Sequence, residues 1–258
     1  MKKPLILVTN DDGIAAPGIR ALIEVARELG DVLVIAPDKP QSGQGHAITI
    51  KLPLRVHPVD IFEGIDAYEC SGTPVDCVKF AKYKLLKGRQ IDLCVSGINH
   101  GGNAAINILY SGTMSAAMEA SIEGINSIGF SLLDYSWEAD FSAARVYARS
   151  LMEKVLSEGL QECKLLNVNI PRLPLEQIRG ALICRQAACD YTEEFIEGTD
   201  PHGQKYYWLG GEFIEDGAVE GTDVWALKQG YVSIVPSTHD LTSYRGMETL
   251  KHLENLSL

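Results

Sequence analysis

The apolar positions of the first 172 residues change period repeatedly along the chain. Leu5-Ile6-Leu7-Val8 is an unbroken apolar run, the pattern of a strand covered on both faces, as in a parallel sheet. Ile19, Leu22, Ile23, Ala26 and Leu29 then recur at helical spacing, with Pro17 near the first turn and Gly30 past the last, which predicts a helix. Residues 32–35 form a second unbroken run, closed by Ala36-Pro37-Asp38, so the opening reads as a βαβ unit. Between 47 and 57 the apolar residues alternate (Ile48, Ile50, Leu52, Leu54, Val56), which predicts a half-exposed strand or hairpin, placed toward an edge by Pro53.

Residues 67–70 predict a short strand, and Thr73-Pro74 the cap and first position of a helix running to about residue 88. Further strands are expected over 91–95, 127–133 and 165–170, and helices over about 113–124 and 141–156, with a long Gly/Asn loop after Val95. Strands and helices thus alternate to about residue 172, which predicts an α/β fold built on a doubly wound, mostly parallel sheet. Residues 180–258 read instead as short strands and turns, with Tyr191, Phe195, Tyr206, Tyr207 and Trp208 clustered. The expected organisation is a core over 1–178 and a β-rich C-terminal extension over 179–258. The extension has no second core of its own and needs a surface to pack on, which predicts a homodimer or homotetramer, the alternative being that it folds back onto its own subunit.

Composition narrows the function. Hydrophobic residues are 46% of 258, enough for a sheet covered by helices. A net charge of −11 repels nucleic acids and anionic membranes, so neither is an expected partner. A small anionic substrate would need a local cation or a row of backbone N–H groups. The six cysteines form no C-x-x-C pair and sit in apolar runs, as small buried hydrophobes. The apolar run after Met1-Lys2-Lys3-Pro4 is too short for a signal peptide, and no segment approaches the roughly 20 apolar residues of a membrane span, so a cytoplasmic setting is expected.

In an open parallel sheet, ligands bind outside the carboxyl ends of the strands, which directs attention to the loops after Val8, Ile35 and Val95. The first carries Asn10-Asp11-Asp12-Gly13. Adjacent carboxylates repel one another unless a cation lies between them or one takes a proton, and Mg²⁺ or Mn²⁺ prefers such oxygen ligands. Taken alone, the same four residues also make an ordinary turn with local side-chain caps. The second loop carries Ser42 and His46, a loop serine and histidine unless a metal or phosphate lies near. The third runs through Asn99 and Asn103 to Tyr110-Ser111-Gly112-Thr113 at the start of a helix. Asn99 offers a cation a neutral oxygen, Asn103 offers phosphate an amide, and Ser111, Gly112 and Thr113 lie where free N–H groups favour an anion. Together the three loops read as a metal-and-phosphate site. The P-loop, the dinucleotide G-x-G-x-x-G after the first strand and the G-x-S-x-G elbow are all absent from the sequence.

These residues also carry a family resemblance. Segment 6–14 (Ile-Leu-Val-Thr-Asn-Asp-Asp-Gly-Ile), Ala-Pro-Asp at 36–38 with Gly-His at 45–46, Ser-Gly-Thr-Pro at 71–74, Ser-Gly-Ile-Asn at 96–99 and Tyr-Ser-Gly-Thr at 110–113 resemble the SurE family of stationary-phase survival proteins. Lys-Tyr-Tyr-Trp at 205–208 and Gly-Tyr-Val-Ser-Ile at 230–234 extend the resemblance to the tail. It implies a Rossmann-like core whose C-terminal extension is exchanged between subunits. It also implies one divalent metal ion, Mg²⁺ or Mn²⁺, held by Asp11, Asp12, Ser42 and Asn99, with Asn103, Ser111 and Thr113 on phosphate. The implied activity is hydrolysis of nucleoside 5'-monophosphates, with looser action on 3'-nucleotides and short polyphosphate. Two departures lie close to substrate: residues 40–44 lack a basic residue often found before the serine, and His100-Gly101-Gly102 replaces a commoner Gly-Pro.

The expected chemistry is attack by a metal-activated water on phosphorus, with Asp11 or Asp12 as proton acceptor. An aspartyl-phosphate intermediate is the variant. The rival reading is a non-catalytic nucleotide sensor using the same pocket, against which the carboxylate pair argues, since it repels phosphate without a cation.

Overall fold

The structure, a computed structural model, describes residues 3–192 and 194–255. Its first half builds β1 (Leu5–Thr9), α1 (Pro17–Leu29), β2 (Asp31–Pro37), β3 (Val56–Pro58), β4 (Asp66–Cys70), α2 (Pro74–Phe80), β5 (Leu93–His100), α3 (Gly112–Ile122) and β6 (Ser127–Leu132). There follow α4 (Ser142–Glu158), β7 (Leu165–Ile170), β8 (Ala181–Ile183), β9 (Asp190–Tyr191), β10 (Glu194–Thr199), β11 (Lys205–Gly210), β12 (Phe213–Ile214), α5 (Asp223–Lys228), β13 (Val232–Ser237) and α6 (Tyr244–Thr249).

Nine strands form one sheet in the order β3-β4-β2-β1-β5-β6-β7-β13-β8. The run from β4 to β7 is parallel, while β3 and β13 pair antiparallel with β4 and β7. The unbroken apolar runs are explained by two covered faces. Ile6, Val8 and Val34 point into a core closed by α1 and α4, and Leu5, Leu7, Leu33 and Ile35 into one closed by α2 and α3. Each such fully buried Leu or Ile contributes about 1.5–3 kcal/mol. From β1 the chain winds outward to β2, then crosses back to β5 on the other side. The strand order reverses between β1 and β5, and this reversal opens the crevice in which α/β proteins bind ligands.

Three readings are corrected. The alternating segment 47–57 contains only β3; the residues before it lie outside the sheet, with the Thr49 N–H on Asp76 and the Thr73 hydroxyl donating to the Ala47 carbonyl at 2.8 Å. Ile48, Ile50 and Leu52 stand exposed, because no strand is available to pair with them. Residues 96–100, read as loop, continue β5 through a register shift between Ser96 and Asn99. The C-terminal stretch contains helices α5 and α6 as well as strands, and two of its strands, β8 and β13, join the main sheet. β10 and β11 form a hairpin that is a sheet of its own. Among the described residues no helix is long and apolar enough to cross a membrane.

Candidate active site

Asp11 lies two residues past the end of β1 and is buried. The Thr113 hydroxyl donates to its Oδ1, and its carboxylate lies against Gly112, where a Cβ would come within 2.6 Å of the Asp11 Cβ and 2.9 Å of Oδ2. Only glycine permits that approach, so Asp11 itself occupies the positive end of α3, whose cap is Ser111, with its Oγ accepting from the Met114 N–H at 3.0 Å. Burial, then the neighbouring charge of Asp12, push the Asp11 carboxyl up to about 6, against the lowering effect of the Thr113 hydrogen bonds.

Asp12 turns the other way, to His100 at the end of β5. The His100 backbone N–H (3.3 Å) and ring Nδ1 (3.1 Å) both reach Asp12 Oδ2. Nδ1 is the ring nitrogen that meets the carboxylate, and the buried Nε2 has no partner among the described residues. The ring stacks on Trp137, with centroids 5.5 Å apart, and meets Phe141 edge-on. Beside it, Asn99 donates its amide N–H to the Gly101 carbonyl at 2.8 Å, and its oxygen accepts no hydrogen bond among the described residues.

Asn103 is buried, and its main chain is clamped on both sides. Its N–H donates to Asn169 Oδ1 at 2.7 Å and its carbonyl accepts from Asn167 at 2.8 Å. Asn169 also donates to Asn167, and the Asn103 amide donates to Ser131 Oγ at 2.8 Å, leaving its second N–H. Ser42 stands exposed after β2; its neighbour Gln41 donates its backbone N–H to the Asp11 carbonyl at 2.8 Å. The structure therefore puts Asp11 in contact with Gly112 and Thr113, joins Asp12 to the strand end bearing Asn99, and ties Ser42 to the centre only through Gln41. Asn103 is turned toward the sheet.

Sequence reasoning missed the supporting residues. His100 was noted as a departure, not as the partner of Asp12. Glu119, buried on α3, pairs with His46 at 2.9 Å and with Lys79, and so fixes the loop that carries Ser42. Its signal was a lone charge in a helix of small residues; that of Asn167 and Asn169 was polar side chains inside an apolar strand.

Among the described residues no group of three or more His, Cys, Asp and Glu side chains converges as a metal cage. Two carboxylates, one destabilised as an anion by burial, with a free amide oxygen beside them, fit instead a hard cation that keeps several waters. Residues 6–193 match the family model described as "Survival protein SurE".

The chain belongs to the SurE family.

It is similar to the 5'-nucleotidase SurE of Cytophaga hutchinsonii, at 56% identity over 95% of each chain, and to that of Flavobacterium psychrophilum, at 52% over 98% of each. The crystal structure of the SurE protein from Aquifex aeolicus superposes with a TM-score of 0.84 at 42% identity, covering 98% of this chain and all of that one. The α/β fold of this family member, with its nine-stranded sheet and small extra sheets toward the C-terminus, is thus shared with a solved relative.

Proposed function

We propose that the chain is a metal-dependent 5'-nucleotidase that hydrolyses nucleoside 5'-monophosphates at Asp11 and Asp12. The observation that carries this is the buried Asp11 set against the N-terminus of α3, with the adjacent Asp12 joined to His100, the neighbour of Asn99, at the reversal of strand order. Its similarity to 5'-nucleotidases of the same family supports the same reading.

In this reading Asp11, Asp12, Ser42 and Asn99 hold one Mg²⁺ or Mn²⁺. The bound ion would polarise a phosphoryl oxygen and acidify a water. Thr113 and His100 each fix one carboxylate, so that one of the pair accepts the proton of the attacking water. The remaining N–H of Asn103, the Ser111 hydroxyl and the backbone at Gly112 and Thr113 stabilise charge on the phosphoryl oxygens. The Thr113 hydroxyl hydrogen is already committed to Asp11. The same proposal includes a reducing, cytoplasmic setting, supported by six free cysteines, and self-association through the β10–β11 hairpin.

The test is phosphate release from AMP with Mn²⁺. Chelation with EDTA is expected to abolish release, and Asp12→Ala to cut it by about a hundredfold or more. AMP binding without release would establish the sensor instead.

A further inference from the structure

Trp137 is 61% exposed, an unusual place for the largest apolar side chain, yet its ring has a defined partner. It sits in the turn between β6 and α4, and that turn is held without the indole. Asp134 Oδ1 accepts from the Ser136 N–H at 3.0 Å, Ser136 Oγ accepts from the Glu138 N–H at 3.1 Å, and the Ala139 N–H donates to the Ser136 carbonyl at 3.1 Å. Arg172 Nε meets the other oxygen of the buried Asp134 at 3.1 Å. The Trp137 ring lies within 9° of parallel to that of His100. Phe141, which belongs to the core closed by α1 and α4, meets the same imidazole at 87°. The His100 side chain is 8% exposed; Nδ1 lies 3.1 Å from Asp12 Oδ2, and Nε2 has no partner among the described residues. The orientation of the imidazole is therefore set by Asp12 at one edge and by the two aromatic rings.

We propose that Trp137 is a positioning residue for the metal site: stacked on His100, it steadies the imidazole that fixes Asp12 Oδ2 and so leaves Oδ1 for the divalent cation. This role rests on the reading of Asp12 as a metal ligand. Asp12 depends on the imidazole in turn. Among the described residues, the hydrogen-bonding contacts of its carboxylate are both with His100 and both at Oδ2. Packing does not account for the indole, which keeps most of its surface in water while its turn is tied by other groups. What it covers is a histidine in contact with Asp12. Groups that orient a metal ligand are worth about ten- to a hundredfold in metal affinity, and a stacked aromatic pair about two- to tenfold. His100, which touches Asp12, belongs in the first range, and Trp137, which acts at one remove, in the second.

The experiment titrates the full chain with Mn²⁺ and reads the free ion by electron paramagnetic resonance. Trp137→Ala, a change at an exposed side chain, is expected to weaken binding about two- to tenfold with circular dichroism unchanged. Trp137→Phe, which keeps a ring over His100, is expected to recover most of that loss. His100→Ala is expected to weaken binding about ten- to a hundredfold. The double variant is expected to match His100→Ala alone, because the indole acts only through the imidazole. Unchanged affinity in Trp137→Ala, or losses that multiply in the double variant, overturns the positioning role and leaves the metal site standing. Wild-type protein that binds no Mn²⁺, or Asp12→Asn that binds it as tightly as the wild type, removes the metal reading and this role with it.

Discussion

At the scale of single residues, the site is governed by what each charge faces. Asp11 is buried against the end of α3 and Asp12 against an imidazole, so two adjacent carboxylates have separate supports. Glu119 shows the same logic outside the centre. Burial pushes its carboxyl up, but hydrogen bonds from His46 and Lys79 outweigh this and hold it below the usual carboxylate range. An acid whose folded value is lowered stabilises the fold above its unfolded pKa, and that contribution is lost as pH falls through the folded value. Glu119→Gln is therefore expected to lose about 1–3 kcal/mol at pH 7. Thermal melts should show the gap to wild type closing as pH drops below about 4. A gap that stays constant over that range would assign the loss to packing.

At the scale of elements, the approach of α3 to β1 is decisive. Gly112→Ala places a methyl within 2.6 Å of Asp11 and is expected to depress AMP hydrolysis at least tenfold while circular dichroism shows the fold retained. The long elements were legible because period and caps agree. Thr73-Pro74 forms a full capping box with Asp76, and α1 begins at Pro17 as the spacing predicts. Alternation at 47–55 misled because the same pattern occurs in a segment that lies over α2 with no strand beside it. The continuation of β5 was hidden by Gly97 and Asn99, and helices of six residues, as in α5 and α6, show too few turns to reveal a period. Asp11, Asp12, Asn99 and Thr113 were singled out from loop position and remain proposed site residues, whereas the supporting Glu119 and Asn169 were not singled out. Their partners lie 73 and 66 residues away, and one chain does not record such pairings. The β10–β11 hairpin carries exposed Phe195, Ile196, Trp208 and Leu209. Trp208→Glu combined with Phe195→Glu is expected to convert a dimer or tetramer into monomer by sedimentation; a monomeric wild type at micromolar concentration contradicts self-association.

At the scale of the molecule, an acidic chain is proposed to handle an anionic substrate through the Asp11-Asp12 pair, which lies where strand order reverses. There a bound cation would convert the pair from a repulsive into an attractive feature. Manganese binding followed by electron paramagnetic resonance tests this arrangement most directly. One Mn²⁺ per chain is predicted for the wild type, with affinity falling at least tenfold in both Asp11→Asn and Asp12→Asn. Wild-type protein that binds no Mn²⁺, or variants that bind it as tightly as the wild type, would contradict the account.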